Sequence, residues 1–247
     1  MTKRIAVVGA TGRAGHHVVD VLTARGHDVV RISRTDGVDV ISGDGLAEAL
    51  AGVDAIIDVA TGPSPEEQPA TEFFTTAARH LQAAGAPLIV AASIIGVEHS
   101  RGGYGVAKRA HERVLLEGPS PVRIVRAAQF HELVEQLLQW GERRGDVVMV
   151  PRMRTQLVAA RAVAEVLADV ALASSAPSIT EVAGPREENL AAMARLAVGD
   201  ELRVEEVSDP VEGELYERGA LLPGPDAILA GPTFAEWLTQ ERSAAPR

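Results

Sequence analysis

The sequence predicts an α/β protein: a doubly wound parallel sheet with a small C-terminal α/β lobe. Short β-branched runs alternate with segments of helical period from residue 5 to about residue 127. The first run ends in a glycine-rich turn that opens straight into a helical segment. With 247 residues and 46% hydrophobic content, the chain can bury one large α/β core.

Taken in order, Ile5–Val8 is a strand and Ala14–Arg25 a helix, its Val18, Val21, Leu22 and Arg25 sharing a face and Gly26 closing it. Asp28–Ser33 is a second strand, Asp39–Ser42 a short third, and Leu46–Ala51 a short helix. Asp54–Ala60 is an apolar run typical of a parallel strand covered on both faces. After the proline-rich loop Thr61–Pro69, a helix face is marked by Phe73, Phe74, Ala77, Ala78 and Leu81. Strand Leu88–Ala92, helix Tyr104–Leu116 and strand Val122–Arg126 continue the alternation, which requires right-handed crossovers. Beyond residue 127 the rhythm loosens: helix 130–140, strand 147–150, helix 161–173, strand 179–183, helix 187–197 and strand 202–207. A helical tail carries Phe234 and Trp237, and Ser243–Arg247 reads as a frayed end.

Composition removes several classes of function. A net charge of −10 argues against wrapping nucleic acid, because phosphate neutralisation needs a basic face. The absence of cysteine excludes disulfides, thiolate catalysis and Cys-ligated metals, and no carboxylate–histidine cluster has metal-ligand spacing. No apolar run approaches the ~18 residues of a membrane span. The Ile5–Val8 run stops at Gly9, too short for a secretory leader. These features predict a cytoplasmic protein of bacterial type, without metal, that acts on a small molecule. Of 24 basic residues only Lys3 and Lys108 are lysine, so a lysine within a helix stands where arginine does not serve.

Gly9-Ala10-Thr11-Gly12-Arg13-Ala14-Gly15 spells GxxGxxG between a strand and a helix. In that setting Gly9 makes the tight turn, Gly12 lets backbone approach a pyrophosphate, and Gly15 lets helix and strand pack closely. The loop, through Gly9, Thr11, Gly12, Arg13, Ala14 and Gly15, offers N–H groups and the positive end of the helix dipole to phosphates. This is a Rossmann arrangement for a nicotinamide dinucleotide. Residues 1–127 form its binding part, and residues 128–247 complete the sheet and the substrate lobe of the same domain. The second strand ends in Ser33-Arg34 where NAD-binding folds carry an acid, so NADP(H) is expected over NAD(H). Arg34, with Arg13 from the other side, would meet the 2′-phosphate; the plainer alternative for both is a solvated surface arginine.

Tyr104 and Lys108 form YxxxK, which sets both on one helix face. Reduction of a carbonyl by hydride needs a proton for the developing alkoxide. A neighbouring ammonium favours phenolate and is expected to draw a tyrosine down toward working pH. Ser93, ending the Leu88–Ala92 strand, would hydrogen-bond the substrate oxygen. The alternative leaves Tyr104 packed and Lys108 engaged with cofactor alone.

The chain resembles the atypical short-chain dehydrogenase/reductases of the NmrA-like, NAD(P)-binding group. The resemblance is carried by GATGRAG (9–15), Ser33-Arg34, Gly43-Asp44, GVDAII (52–57), Ser93 with YGVAK (104–108), RAAQFH (126–131), VAGP (182–185) and FAEWL (234–238). It implies that Asp44 lies near the adenine and that Ala60 and Thr61 wrap the adenosine ribose. It also implies that the turn Ala128, Gln129 and Phe130 faces nicotinamide and substrate. His131, next in line, either faces the substrate crevice or packs in the core. His16-His17 reads as structural, and Arg143, Arg144, Arg152 and Arg154 as surface cations. Together the residues predict an NADPH-dependent oxidoreductase that reduces a carbonyl, quinone or similar small molecule. A non-enzymatic NADP(H)-binding redox sensor and a cofactor-retaining isomerase or epimerase are the alternatives.

Overall fold

A computed structural model describes residues 1–199 and 202–244. In chain order the first half runs β1 (Arg4–Val8), α1 (Gly15–Ala24), β2 (Asp28–Ile32), α2 (Leu46–Ala49), β3 (Ala55–Asp58), α3 (Glu67–Ala83), β4 (Ile89–Ile94), α4 (Gly103–Glu117) and β5 (Val122–Ala127). The second half runs α5 (Glu132–Trp140), β6 (Arg143–Arg144), β7 (Val147–Pro151), β8 (Arg154–Thr155), α6 (Ala160–Leu172), β9 (Ile179–Ala183), β10 (Glu188–Asn189), α7 (Leu190–Val198), β11 (Arg203–Val207), α8 (Gly213–Arg218), β12 (Ile228–Leu229) and α9 (Phe234–Ala244).

Seven strands form one sheet in the order β12-β9-β5-β4-β3-β1-β2. Every pairing in it is parallel. The chain winds outward from β1 to β2, then returns past β1 to β3 and onward, so the winding reverses between β1 and β3. In open α/β sheets the crevice at such a reversal, at the carboxyl ends of the strands, is where ligands bind. Alternation along each strand builds the two layers. Ile5 and Val7 pack with Val18 and Leu22 of α1 and Val163 and Leu167 of α6. Ala6, Val8, Ile56 and Ile89 pack on the other side with Leu46, Ala78, Leu81 and Leu115. Apart from the main sheet, β6, β7 and β11 make a three-stranded sheet, and β8 pairs with β10.

The strand expected at Asp39–Ser42 does not form. Asp39 N–H donates to the Asp44 carbonyl, Gly43 N–H to the Asp39 carbonyl, and Ile41 N–H to the Asp39 carboxylate. This local turn consumes the backbone groups a strand would offer and leaves β2 at the sheet edge. At the C-terminus, Ser243 and Ala244 continue α9 instead of fraying, and residues 245–247 lie outside the described ones. No helix among the described residues is long and apolar enough to cross a membrane.

Candidate active site

The glycine loop follows β1 into the reversal crevice. Gly9 has φ +82°, and a Cβ there would lie 2.8 Å from Ala60 Cα, so the loop after β1 rests directly on the turn after β3. A Cβ on Gly15 would lie 1.9 Å from the Gly9 carbonyl oxygen, so α1 can approach its own loop only because residue 15 is glycine. Among the described residues, the N–H groups of Thr11, Arg13 and Ala14 have no hydrogen-bond partner. Exposed Thr11 and Arg13 thus present free donors at the N-terminus of a ten-residue helix, while Gly12 N–H donates to the Gly9 carbonyl. These residues fit a pyrophosphate.

Beyond the end of β2, Ser33 starts a 3-10 turn over Arg34–Asp36. The Ser33 hydroxyl donates to the Asp36 carboxylate, which also lies 3.4 Å from Arg31 Nε. A carboxylate therefore does stand near this strand end, three residues later than sequence reasoning looked for it. Arg34 is exposed and, among the described residues, in no ion pair. Arg13 does not turn toward it. With the Gln136 amide oxygen facing the guanidinium, Arg13 Nη2 and Nη1 lie 3.2 and 3.3 Å from that oxygen on α5. Asp44 is exposed and accepts from Ser42 Oγ at 2.8 Å.

On the other side of the crevice, α4 begins one residue before Tyr104, and its entry is pinned. Glu67 accepts from Gly103 N–H at 3.0 Å, and Glu212 accepts from Arg101 and Gly102 N–H at 2.7 and 3.0 Å. Tyr104 packs edge-on against Phe74 with 5.5 Å between ring centroids. Lys108, one turn on, is buried with its Nζ 4.3 Å from the centre of the same ring. Ser93 lies on β4 two residues beyond Ala91, the partner of Asp58, and so on the same face of the sheet. It is buried, and among the described residues its hydroxyl has no hydrogen-bond partner.

Lys108 does not stand alone. Its Nζ lies 3.4 Å from His111 Nδ1, and His111 Nε2 lies 3.1 Å from Asp58 Oδ2. Burial pushes the Lys108 amine down to about 8, although Asp58 and Glu112 pull it up. Burial and the nearby Lys108 hold His111 below its ordinary value against the pull of Asp58. Burial alone would raise the Asp58 carboxyl, but His111, Lys108 and the Ala60 N–H together hold it low. Tyr104 moves opposite to expectation: burial and the Asp58 charge push its phenol up to about 12. Burial is the larger cause, and the negative charge of Asp58 adds to it by disfavouring phenolate. Neither Asp58 nor His111 was among the residues expected at the site. The signals were a carboxylate ending an otherwise apolar run and a histidine three residues after Lys108, on its helix face.

The turn after β5 divides. Ala128 is buried and donates its N–H to the Val182 carbonyl. Half-buried Gln129 accepts from Thr155 Oγ1 at 2.8 Å, and Phe130 bridges to Val158. His131 does not face the crevice: it is fully buried, 3.1 Å from the Pro232 carbonyl and packed on Phe234 and Trp237. Burial pushes it down to about 4, so it is a neutral core histidine. A cavity of about 450 Å³ opens at the opposite, N-terminal ends of the strands, lined in part by Lys3, Asp54 and Arg123. Its cations are committed, Lys3 to the Leu172 carbonyl and Arg123 to those of Val170 and Ala173. No group of three potential metal ligands occurs among the described residues.

No family model matches the chain, and no curated protein sequence matches it. Solved structures match by fold. MoeE5 in complex with UDP-glucose and NAD superposes with a TM-score of 0.71 at 18% identity, over 98% of this chain and 100% of that one. The NADPH-dependent quinone oxidoreductase QOR2 from Escherichia coli gives 0.68 at 17%, over 96% and 99%. The UDP-N-acetylglucosamine 4-epimerase from Bacillus cereus gives 0.68 at 17%, over 100% and 98%. The chain thus has the Rossmann-type α/β fold shared by these structures.

Proposed function

We propose that this protein is an atypical, NmrA-like short-chain dehydrogenase/reductase that uses NADP(H) to reduce a carbonyl, quinone or similar small molecule in the cytoplasm. The observation that supports the reading is the packing of Tyr104 and Lys108 on one ring, Phe74, with the Ser93 hydroxyl buried on β4 and, among the described residues, without a partner. The free loop donors suit a pyrophosphate, with Ala60 and Thr61 beside them to meet the adenosine ribose and Asp44 assigned to the adenine. Arg34 is assigned to the 2′-phosphate, since the nearby Asp36 charge is engaged by Ser33 and Arg31.

When bound, a reduced nicotinamide supplies hydride to the substrate carbon. Ser93 Oγ orients the substrate oxygen, with Gln129 and Phe130 at the substrate side. Tyr104 Oη gives its proton to that oxygen, producing the alcohol, and the Lys108 ammonium stabilises the phenolate left behind. A phenol held near 12 is protonated at every ordinary pH. That is the form required of an acid, so reduction is favoured over the reverse oxidation, which needs a base.

The test is Tyr104→Phe, assayed by NADPH consumption over a panel of aldehydes, ketones and quinones. NADPH binding is expected to persist while turnover falls by about 10²-fold or more. Undiminished turnover refutes the role of Tyr104. A second reading, epimerisation, is favoured by the fold shared with the Bacillus cereus epimerase. It predicts product formation without net NADPH consumption.

A further inference from the structure

We propose that Asp58 and His111 are positioning residues that act through Lys108: a buried hydrogen-bonded chain sets the place and charge of the lysine and ties it to the turn at Ala60. The inference rests on the reading of Lys108 as the partner of Tyr104.

The three side chains are 5%, 1% and 2% exposed for Lys108, His111 and Asp58, so bulk water does not compete for their hydrogen bonds. Donor and acceptor roles close in one way. An ammonium has only donors, so His111 Nδ1 accepts from it. The imidazole proton then sits on Nε2 and is donated to Asp58 Oδ2. Asp58 Oδ1 accepts from the Ala60 N–H at 3.0 Å. That turn is the one on which Gly9 rests, so the chain runs from the lysine to the cofactor loop. The stacking of His111 on Phe74, 5.1 Å between centroids, fixes the ring plane.

The charged and titratable groups facing Lys108 are Asp58 from β3 and His111, Glu112 and Tyr104 from α4. Arg126 of β5 bears on it through Glu112, to which it is paired at 2.8 Å. From α3 comes the Phe74 ring. A buried ion pair is a weak device for stability, and apolar side chains would fill this space as well. Arginine, the usual cation of this chain, would bring five donors to one ring nitrogen and a ring face. Both points favour a role in setting the charge of Lys108. With the Lys108 amine near 8, the ammonium is present at neutral pH and lost as pH rises through about 8. Removing the Asp58 charge removes a pull toward the ammonium and moves that loss to lower pH.

The presence of only two lysines makes this directly measurable. Lysine ¹³Cε and histidine ¹⁵N resonances of the full chain are followed with pH, Lys3→Arg assigning the two lysines. Lys108 is expected to titrate near 8, and His111 to titrate below its ordinary value with the neutral ring's proton on Nε2. In Asp58→Asn the Lys108 midpoint is expected to fall by about one pH unit or more, and the alkaline limb of kcat to fall with it. An ordinary lysine midpoint for Lys108, or a proton on His111 Nδ1, overturns the proposal in the wild-type protein alone, whether or not the variant folds. A kcat limb unmoved in Asp58→Asn also overturns it. The expected spectra in a protein that binds neither dinucleotide instead overturn the reductase reading, leaving the chain of hydrogen bonds in place.

Discussion

Gly15→Ala is the sharpest probe of the dinucleotide loop, because a single methyl meets backbone on both near sides. The new Cβ would stand 1.9 Å from the Gly9 carbonyl oxygen and 2.7 Å from its carbon. Ordinary contact begins near 3.4 Å, so α1 and the loop must part by roughly 1.5 Å, since both atoms are backbone and cannot swing away. Overpacking of this kind costs about 1–3 kcal/mol. For a chain of this size, 2 kcal/mol lowers Tm by about 4–8 °C. The same displacement moves the free N–H groups of Thr11, Arg13 and Ala14. Losing one charge-assisted bond to phosphate costs about 1.5–3 kcal/mol, or roughly 10- to 150-fold in Kd. Titration with NADPH, followed by cofactor fluorescence beside thermal unfolding of the same samples, separates the two effects. A lowered Tm with NADPH affinity within twofold of wild type would refute the assignment of this loop to the pyrophosphate.

Three further perturbations test other parts of the site and core. Arg34→Ala is expected to weaken NADPH by about 10- to 100-fold while leaving NADH nearly unchanged, since only NADPH carries the 2′-phosphate; equal losses in parallel titrations would return Arg34 to the surface. Glu112→Ala leaves the Arg126 guanidinium, 13% exposed, without its two bonds of 3.0 and 2.8 Å. It is expected to cost about 3 kcal/mol in urea unfolding, and a loss below about 1 kcal/mol would show that Glu98 alone suffices. His131 titrates near 4 in the fold against 6.5 in the unfolded chain, so unfolding takes up its proton between these values. Its contribution is complete above pH 6.5 and drains away as pH falls toward 4, by up to about 3 kcal/mol. Urea midpoints at pH 7 and 4.5 should differ less in His131→Phe than in wild type, and an equal difference in the two proteins would contradict the buried, neutral assignment.

The positions of the main strands along the chain were legible because each feature has a local cause. Apolar runs at Ile5–Val8 and Ala55–Ile57 need burial on two faces, and only glycine tolerates the contacts at residues 9 and 15. Asp39–Ser42 was misread because Val40 and Ile41 look like a strand, while the deciding interaction is the Asp39 side chain capturing Ile41 N–H. His131 shows the opposite limit. Position after a strand suggested the crevice, but α9, a hundred residues later, brings Phe234 and Trp237 over the ring. The spacing of Tyr104 and Lys108 was visible in the sequence, whereas their electrostatics were not. The carboxylate that acts on both, beside the larger effect of burial, lies 46 residues before the tyrosine, on a different element.

That carboxylate changes how the pair would work. In water, or with the ammonium acting alone, Lys108 would draw Tyr104 toward phenolate. Asp58 adds one negative charge against that one positive charge, and burial then decides, raising the phenol and lowering the amine. A neutral phenol beside an ammonium whose charge is lost near 8 is an arrangement ready to give a proton and then stabilise what remains. The same Asp58 grips the Ala60 N–H at the floor of the crevice, where the loop after β1 meets the turn after β3. One buried side chain therefore links the reversal of the sheet, where a dinucleotide fits, to the acid that would complete its reaction.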